Sequence, residues 1–184
     1  MKKYATHIMV FLSFALNLVT TECSAAKEGW NEGGIRMGIQ AGPRREYFHL
    51  YELYAVYGLP WEWQPSAGWV ISSQLNTSLG ALHTAAETGV IGSLGAGLTI
   101  TKTGLNLVPE AGISLDLLDK RQFGRQDFGS ILLWGAYIGL CYRFNNGLGI
   151  GYRILHLSNN HILYSKTTPN PGLDLHMIGA SWKF

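Results

Sequence analysis

Apolar and polar residues alternate with a period of two along almost the whole chain beyond residue 30, the pattern of β-strands whose two faces meet different surroundings. Residues 69–82 set Trp69, Ile71, Leu75 and Leu79 against Ser72, Gln74, Asn76 and Ser78. Residues 90–101 oppose Val90, Leu94, Ala96, Leu98 and Ile100 to Ser93, Gly95, Gly97, Thr99 and Thr101. Residues 105–118 oppose Leu105, Leu107, Ala111, Ile113, Leu115 and Leu117 to Asn106, Glu110, Ser114 and Asp116, and 131–144 oppose Leu132, Trp134, Ala136, Ile138, Leu140 and Phe144 to Gly135, Tyr137, Gly139 and Arg143. Segments 33–42, 46–58, 147–158 and 173–184 complete a set of eight strands, the number in the smallest common transmembrane barrel. No segment shows amphipathic helical periodicity.

The two faces decide what surrounds the barrel. A water-soluble up-and-down barrel turns its apolar face inward. Here the polar face carries Glu110 and Asp116 beside Arg36, Arg143 and Arg153. Such charges are intolerable toward lipid but can pair in a narrow lumen. The apolar face is therefore expected outward, in a membrane. In the second strand two apolar sets compete, and placing Glu52 inside puts His49, Tyr51, Leu53 and Tyr57 outside. Glycine at 23 of 184 residues, 12% aromatic and 14% charged residues fit a β-rich protein with little water-facing surface. The final Phe184, with Trp182 two positions earlier, resembles the closing-strand signal read by the bacterial outer-membrane assembly machinery. Tyr47, Tyr57, Trp61, Trp63 and Trp69 near strand ends suit interfacial belts.

The amino terminus supports export. Lys2 and Lys3, an apolar run over 8–19 and the small residues Ser24-Ala25-Ala26 read as a signal peptide, residues 1–26, too short to span a bilayer. Glu22 weakens an alternative lipoprotein reading through Cys23. Removal of 1–26 leaves Cys141 alone, hence no internal disulfide, and twelve basic against eleven acidic residues. That near-neutral balance implies no nucleic-acid partner. Residues 27–184 suit one barrel domain.

With the amino terminus in the periplasm, the connections at 42–45, 83–88, 119–129 and 159–171 fall outside, and those near 58–68, 102–104 and 145–147 fall on the periplasmic side; Asn145-Asn146-Gly147 is a good tight turn. The seventh strand then runs outward and ends at His156-Leu157-Ser158, and the eighth begins at Asp174. Residues two apart on a strand point the same way, about 6.5 to 7 Å apart, so His156 can serve Ser158 as a base serves a nucleophile. These groups share the face of Ile150, Tyr152, Ile154 and Ile178. Polar side chains there make sense if the substrate is itself a lipid.

The His156-Leu157-Ser158-Asn159 segment, the Asn170-Pro171-Gly172-Leu173-Asp174 segment and the aromatic terminus resemble those of the PagL family of outer-membrane lipid A 3-O-deacylases. The resemblance implies hydrolysis of the acyl ester at the 3-position of lipid A in lipopolysaccharide, among outer-membrane lipid, by a serine-histidine-acid triad without metal or cofactor. It makes Ser158 the nucleophile and His156 the general base. Asp174 stands where the family commonly has an orienting glutamate, and the loop between Ser158 and Asp174 is a few residues longer than the family usually carries. Asn159 and Asn170 match polar residues near the site, with Asn170 the stronger candidate to hold the oxyanion.

Other readings compete. The glycines of 147–151 superficially suggest a nucleotide loop, but no helix follows, and small residues facing a crowded lumen explain them better. His161 and His176 have no metal-site spacing with His156. Arg44, Arg45, Lys120, Arg121, Arg125 and Lys166 fall in outer connections, as ordinary loop charges or as attraction for lipid A phosphates. A non-enzymatic barrel, adhesin or structural, explains the strands but not polar groups on a lipid face. An outer-membrane phospholipase would use the same triad. Whether the barrel is a monomer or a homodimer is open from sequence.

Overall fold

The computed structural model describes residues 28–42, 46–159 and 167–184. The expected signal peptide, Arg44, Arg45, His161 and Lys166 lie outside the described residues.

Ten strands follow one another: β1 (Gly29–Gln40), β2 (His49–Ser66), β3 (Trp69–His83), β4 (Thr88–Lys102), β5 (Leu107–Leu118), β6 (Gln122–Phe123), β7 (Gln126–Asp127), β8 (Leu132–Arg143), β9 (Leu148–Ser158) and β10 (Leu173–Lys183). Eight of them close an antiparallel barrel in the order β1-β10-β9-β8-β5-β4-β3-β2, while β6 and β7 form a separate ribbon. Each barrel strand pairs with the next barrel strand along the chain, β5 with β8 across the ribbon, and β1 with β10 closes the ring.

The alternation sorts as expected. Ile35, Leu53, Leu79, Leu94, Ile113 and Ile138 are exposed around the wall, whereas Arg36, Glu52, Asn76, Asp116 and Arg153 are buried. A surface of isoleucine and leucine wrapped around sealed charges is stable against hydrocarbon and unstable against water. In β2, Tyr51 and Leu53 face outward and Glu52 inward.

The largest boundary difference is at the end of β2. Residues 58–68 are expected as a connection, but β2 continues to Ser66 and turns at Gly68, whose φ of +80° favours glycine. Register shifts between Gly58 and Glu62 and between Trp63 and Ser66 absorb the mismatch. Pro60 interrupts the alternation and sits in the first shift, as proline in a sheet does.

The lumen has two storeys. In one, Arg36 Nε lies 3.2 Å from Glu52 Oε2, Arg153 Nη2 lies 2.9 Å from Glu110 Oε1, and Arg143 pairs with Glu32. The storey under the long connections is apolar, with Leu50, Leu82, Leu133, Leu157, Leu173 and Leu175 fully buried. Phe48, Phe123 and Phe128 pack edge-on or tilted, with centroids 5.5 to 6.0 Å apart, and bring the β6–β7 ribbon over this end. Two glutamates from other connections hold the ribbon. Glu87 accepts from Lys120 Nζ at 2.8 Å and from the Gly124 amide at 3.0 Å, and Glu46 accepts from the Arg125 amide at 3.0 Å. Lys120, Arg121 and Arg125 thus each have a carboxylate partner: Glu87, Asp127 and Glu46.

Candidate active site

β9 ends and β10 begins at the capped end of the barrel, and their register sets His156 directly opposite Asp174. Side chains directly opposite in an antiparallel pair have Cβ atoms about 4.5–5.5 Å apart, close enough for a short acid. Asp174 Oδ1 lies 2.6 Å from His156 Nδ1. Both side chains look outward, 50% and 39% exposed. The register accounts for aspartate here, since the acid needs no extra methylene to reach across one strand spacing.

Ser158, two residues beyond His156, differs from the expectation of an open lipid-facing position. It is only 4% exposed, because the segment leading into β10 covers it. Asn170 provides part of that cover. Its Nδ2 donates to Ser158 Oγ at 3.0 Å, while its Oδ1 lies 3.1 Å from both Ser158 Oγ and the Asn159 amide. Asn159 is 1% exposed, and its side-chain amide donates to the carbonyls of Phe128 and Pro169, each at 2.8 Å. That side chain ties together the ribbon, the end of β9 and the segment before β10. All five residues singled out from sequence, His156, Ser158, Asn159, Asn170 and Asp174, therefore meet at one end of the β9–β10 seam.

The inward neighbours make this seam rigid. Leu157 and Leu173, partners across the seam, are fully buried in the apolar storey. Any shift of His156 or Asp174 along the wall would pull these leucines out of register.

Two glycines emerge that sequence patterning passes over. Gly129 has φ +72°, and a Cβ there would stand 2.2 Å from the Pro169 carbonyl, so any side chain would push the covering segment away. Gly172 has φ +63° and lies against the imidazole, with a Cβ placed 3.2 Å from His156 Cε1. Turn-like neighbours mark both in sequence, but only their contacts give them a role. Trp134 and Ala136 on β8 pair with Ser158 and His156 and form the wall on the other side. No cluster of three or more metal-ligating side chains exists among the described residues.

An imidazole paired with a carboxylate, near a hydroxyl held by an amide, on an apolar outer wall, is a set of groups suited to acyl transfer from a lipid ester. A family model described as lipid A 3-O-deacylase (PagL) matches residues 49–183. Among solved structures, the chain is similar to the crystal structure of the outer membrane enzyme PagL, with 19% identity, a TM-score of 0.71, and 83% of this chain and 99% of that one covered. That likeness concerns the barrel fold. No curated protein sequence matches.

Proposed function

Since this chain belongs to the PagL family of lipid A 3-O-deacylases, outer-membrane β-barrel enzymes, we propose that it hydrolyses the 3-position acyl ester of lipid A with Ser158 as nucleophile, His156 as base and Asp174 as orienting acid. The observation that carries the reading is the 2.6 Å His156–Asp174 pair standing on a lipid-facing wall next to Ser158. A carboxylate and an imidazole in that position cost free energy that nothing in the barrel fold requires, so a chemical role explains them.

In this mechanism Ser158 Oγ attacks the ester carbonyl carbon as its proton passes to His156 Nε2. Asp174 holds the proton on Nδ1, which fixes the tautomer and stabilises the imidazolium. The oxyanion takes up the Asn170 Nδ2 donor, which already reaches Ser158 Oγ, and the Asn159 backbone amide, which turns from Asn170 Oδ1 to the substrate. The bond from the acyl carbon to the sugar oxygen breaks, and His156 returns its proton to that oxygen. Water, deprotonated by His156, then releases the fatty acid and restores Ser158. The Asn159 side chain keeps the amides in place through Phe128 and Pro169.

The longer connections belong outside and the short turns in the periplasm, so the site meets the outer leaflet, where lipopolysaccharide resides. Mass spectrometry of lipid A from cells with and without the protein tests the reaction: loss of one 3-position acyl group is expected. Intact lipid A together with lysophospholipids would point to a phospholipase, and intact lipids throughout to a barrel without this chemistry.

A further inference from the structure

A second group of polar side chains stands on the outer wall at the same end of the barrel. His49 opens β2 and His83 closes β3, and the two are direct cross-strand partners. Their rings are 6.4 Å apart between centroids and tilted by 42°. His83 uses Nδ1 on the Thr88 hydroxyl at 2.7 Å, which leaves Nε2 as the ring atom for an outside partner. Tyr47 meets His49 edge-on at 5.1 Å, and Tyr51 lies parallel to it at 6.4 Å. The imidazole is thereby held in one orientation on a wall otherwise built of Ile39, Leu53, Leu79 and Val90.

Two imidazoles at an apolar rim are poor neighbours for acyl chains, but good ones for the anionic headgroups just above. The carboxylates of the adjoining connections do not compete for the imidazoles, because Glu46 and Glu87 are engaged by Arg125 and Lys120. The spacing also discriminates between ligands. A metal ion about 2.0–2.1 Å from each imidazole nitrogen in tetrahedral geometry draws the ring centres closer together than this pair stands. A phosphate, offering two oxygens to two N–H donors, fits the wider gap.

From these observations we propose that His49 and His83 bind a phosphate monoester on the headgroup of the lipid substrate. The inference rests on the lipid A deacylase reading, because it needs a substrate whose phosphate lies near the reacting ester. His49 is level with Ile39 on β1, and Ile39 with His176 on β10, one like-facing residue from Asp174. Two strand spacings of about 4.8 Å and one step of about 6.8 Å place His49 roughly 12 Å from Asp174. Lipid A is a glucosamine disaccharide phosphorylated at both ends. A phosphate on the sugar beside the one bearing the ester has that kind of reach.

The test compares KM and kcat of the refolded wild type and the H49Q/H83Q double variant on bisphosphorylated lipid A and on the same lipid A after phosphate removal. Heat-modifiable electrophoretic mobility checks folding, and the two single variants stand in should the double variant not fold. Charge-assisted hydrogen bonds of this kind are worth about tenfold or more in affinity. Phosphate removal should therefore raise the wild-type KM about tenfold, and the variant should show that raised KM on either substrate, with kcat within about twofold. A wild type indifferent to the phosphates, or a variant that loses equally on both substrates, would overturn the proposal. So would inhibition by inorganic phosphate at concentrations near the substrate KM, since the site would then serve a free anion. Zinc binding that disappears in the variant while the KM ratio stays unchanged would assign the pair to a metal instead. Absence of turnover by the wild type on both substrates would overturn the deacylase reading itself, a result distinct from all of these.

Discussion

At the scale of single residues, the cross-strand placement of His156 and Asp174 makes the side-chain length at position 174 decisive for the proposed triad. Asp174→Asn keeps the shape, removes the charge and disturbs the tautomer; its kcat should fall on the order of 10³-fold or more. Asp174→Glu keeps the charge, but with 2.6 Å already spanned its extra methylene overshoots the ring nitrogen. Its rate should lie between those of the wild type and Asp174→Asn, read from initial rates on one lipid A preparation. Wild-type turnover by Asp174→Asn would put the acid elsewhere. Gly172→Ala tests the contact behind the imidazole. Alanine is strained at φ +63°, and its Cβ presses on His156 Cε1. A tenfold or greater loss in kcat, with barrel mobility unchanged, is expected; an unaltered rate would remove Gly172 from the site. The sequence displays His156, Ser158, Asn170 and Asp174 because strand parity and the local motif mark them. It shows Gly172 only as a member of the motif and gives neither Gly172 nor Gly129 a role, because that lies in contacts with atoms of other segments.

At the scale of elements, the β6–β7 ribbon is the part that alternation could not reveal. Strands of two residues have too few positions for a period, and the ribbon is fixed by Phe123, Phe128 and two glutamates from other connections. The β2 extension stayed hidden for a related reason, since Leu59-Pro60 breaks the pattern and the paired register resumes only after a shift. The ribbon's clamp should respond to acid. The Lys120 ammonium, then the Gly124 amide, hold the Glu87 carboxyl below its usual range. A depressed carboxylate pKa stabilises the fold above the ordinary value and loses that contribution as pH falls through the lowered one. The clamp should therefore persist through mildly acidic pH and release below the ordinary glutamate pKa of about 4.3. Hydrogen exchange at the Gly124 amide, in the wild type and Glu87→Gln, measures this. Protection of that amide, taken relative to the intrinsic exchange rate at each pH, should fall in the wild type only in that acid range, and in Glu87→Gln it should already be low near neutrality. Equal protection in both proteins would show that the aromatic cluster alone holds the ribbon.

At the scale of the whole molecule, the chain is legible because an eight-stranded barrel in a membrane sets one rule for every strand, apolar outward and polar or tightly packed inward. The rule reads less clearly near the capped end, where Leu50, Leu82, Leu133 and Leu157 are apolar on the inner face too. There the strands lie between lipid and a packed plug, so neither face needs a polar residue. The lipid-facing assignment makes a stability prediction. Ile138 lies mid-strand in β8 and is 67% exposed. Ile138→Arg should destabilise the barrel by about 2–4 kcal/mol in bilayers, the cost of a basic residue near the midplane. Denaturant titration in lipid vesicles reads it, and a change within 0.5 kcal/mol, the usual range for a water-exposed site, would contradict a hydrocarbon-facing wall. The serine esterase proposed on this wall acts on lipid A. Its most direct measurement is the mass of lipid A after incubation with equal amounts of folded wild-type protein and Ser158→Ala. The wild type should remove a single 3-position acyl group and Ser158→Ala, as heat-modifiable as the parent, should remove none within the same time; deacylation by Ser158→Ala at a near-normal rate would contradict the account.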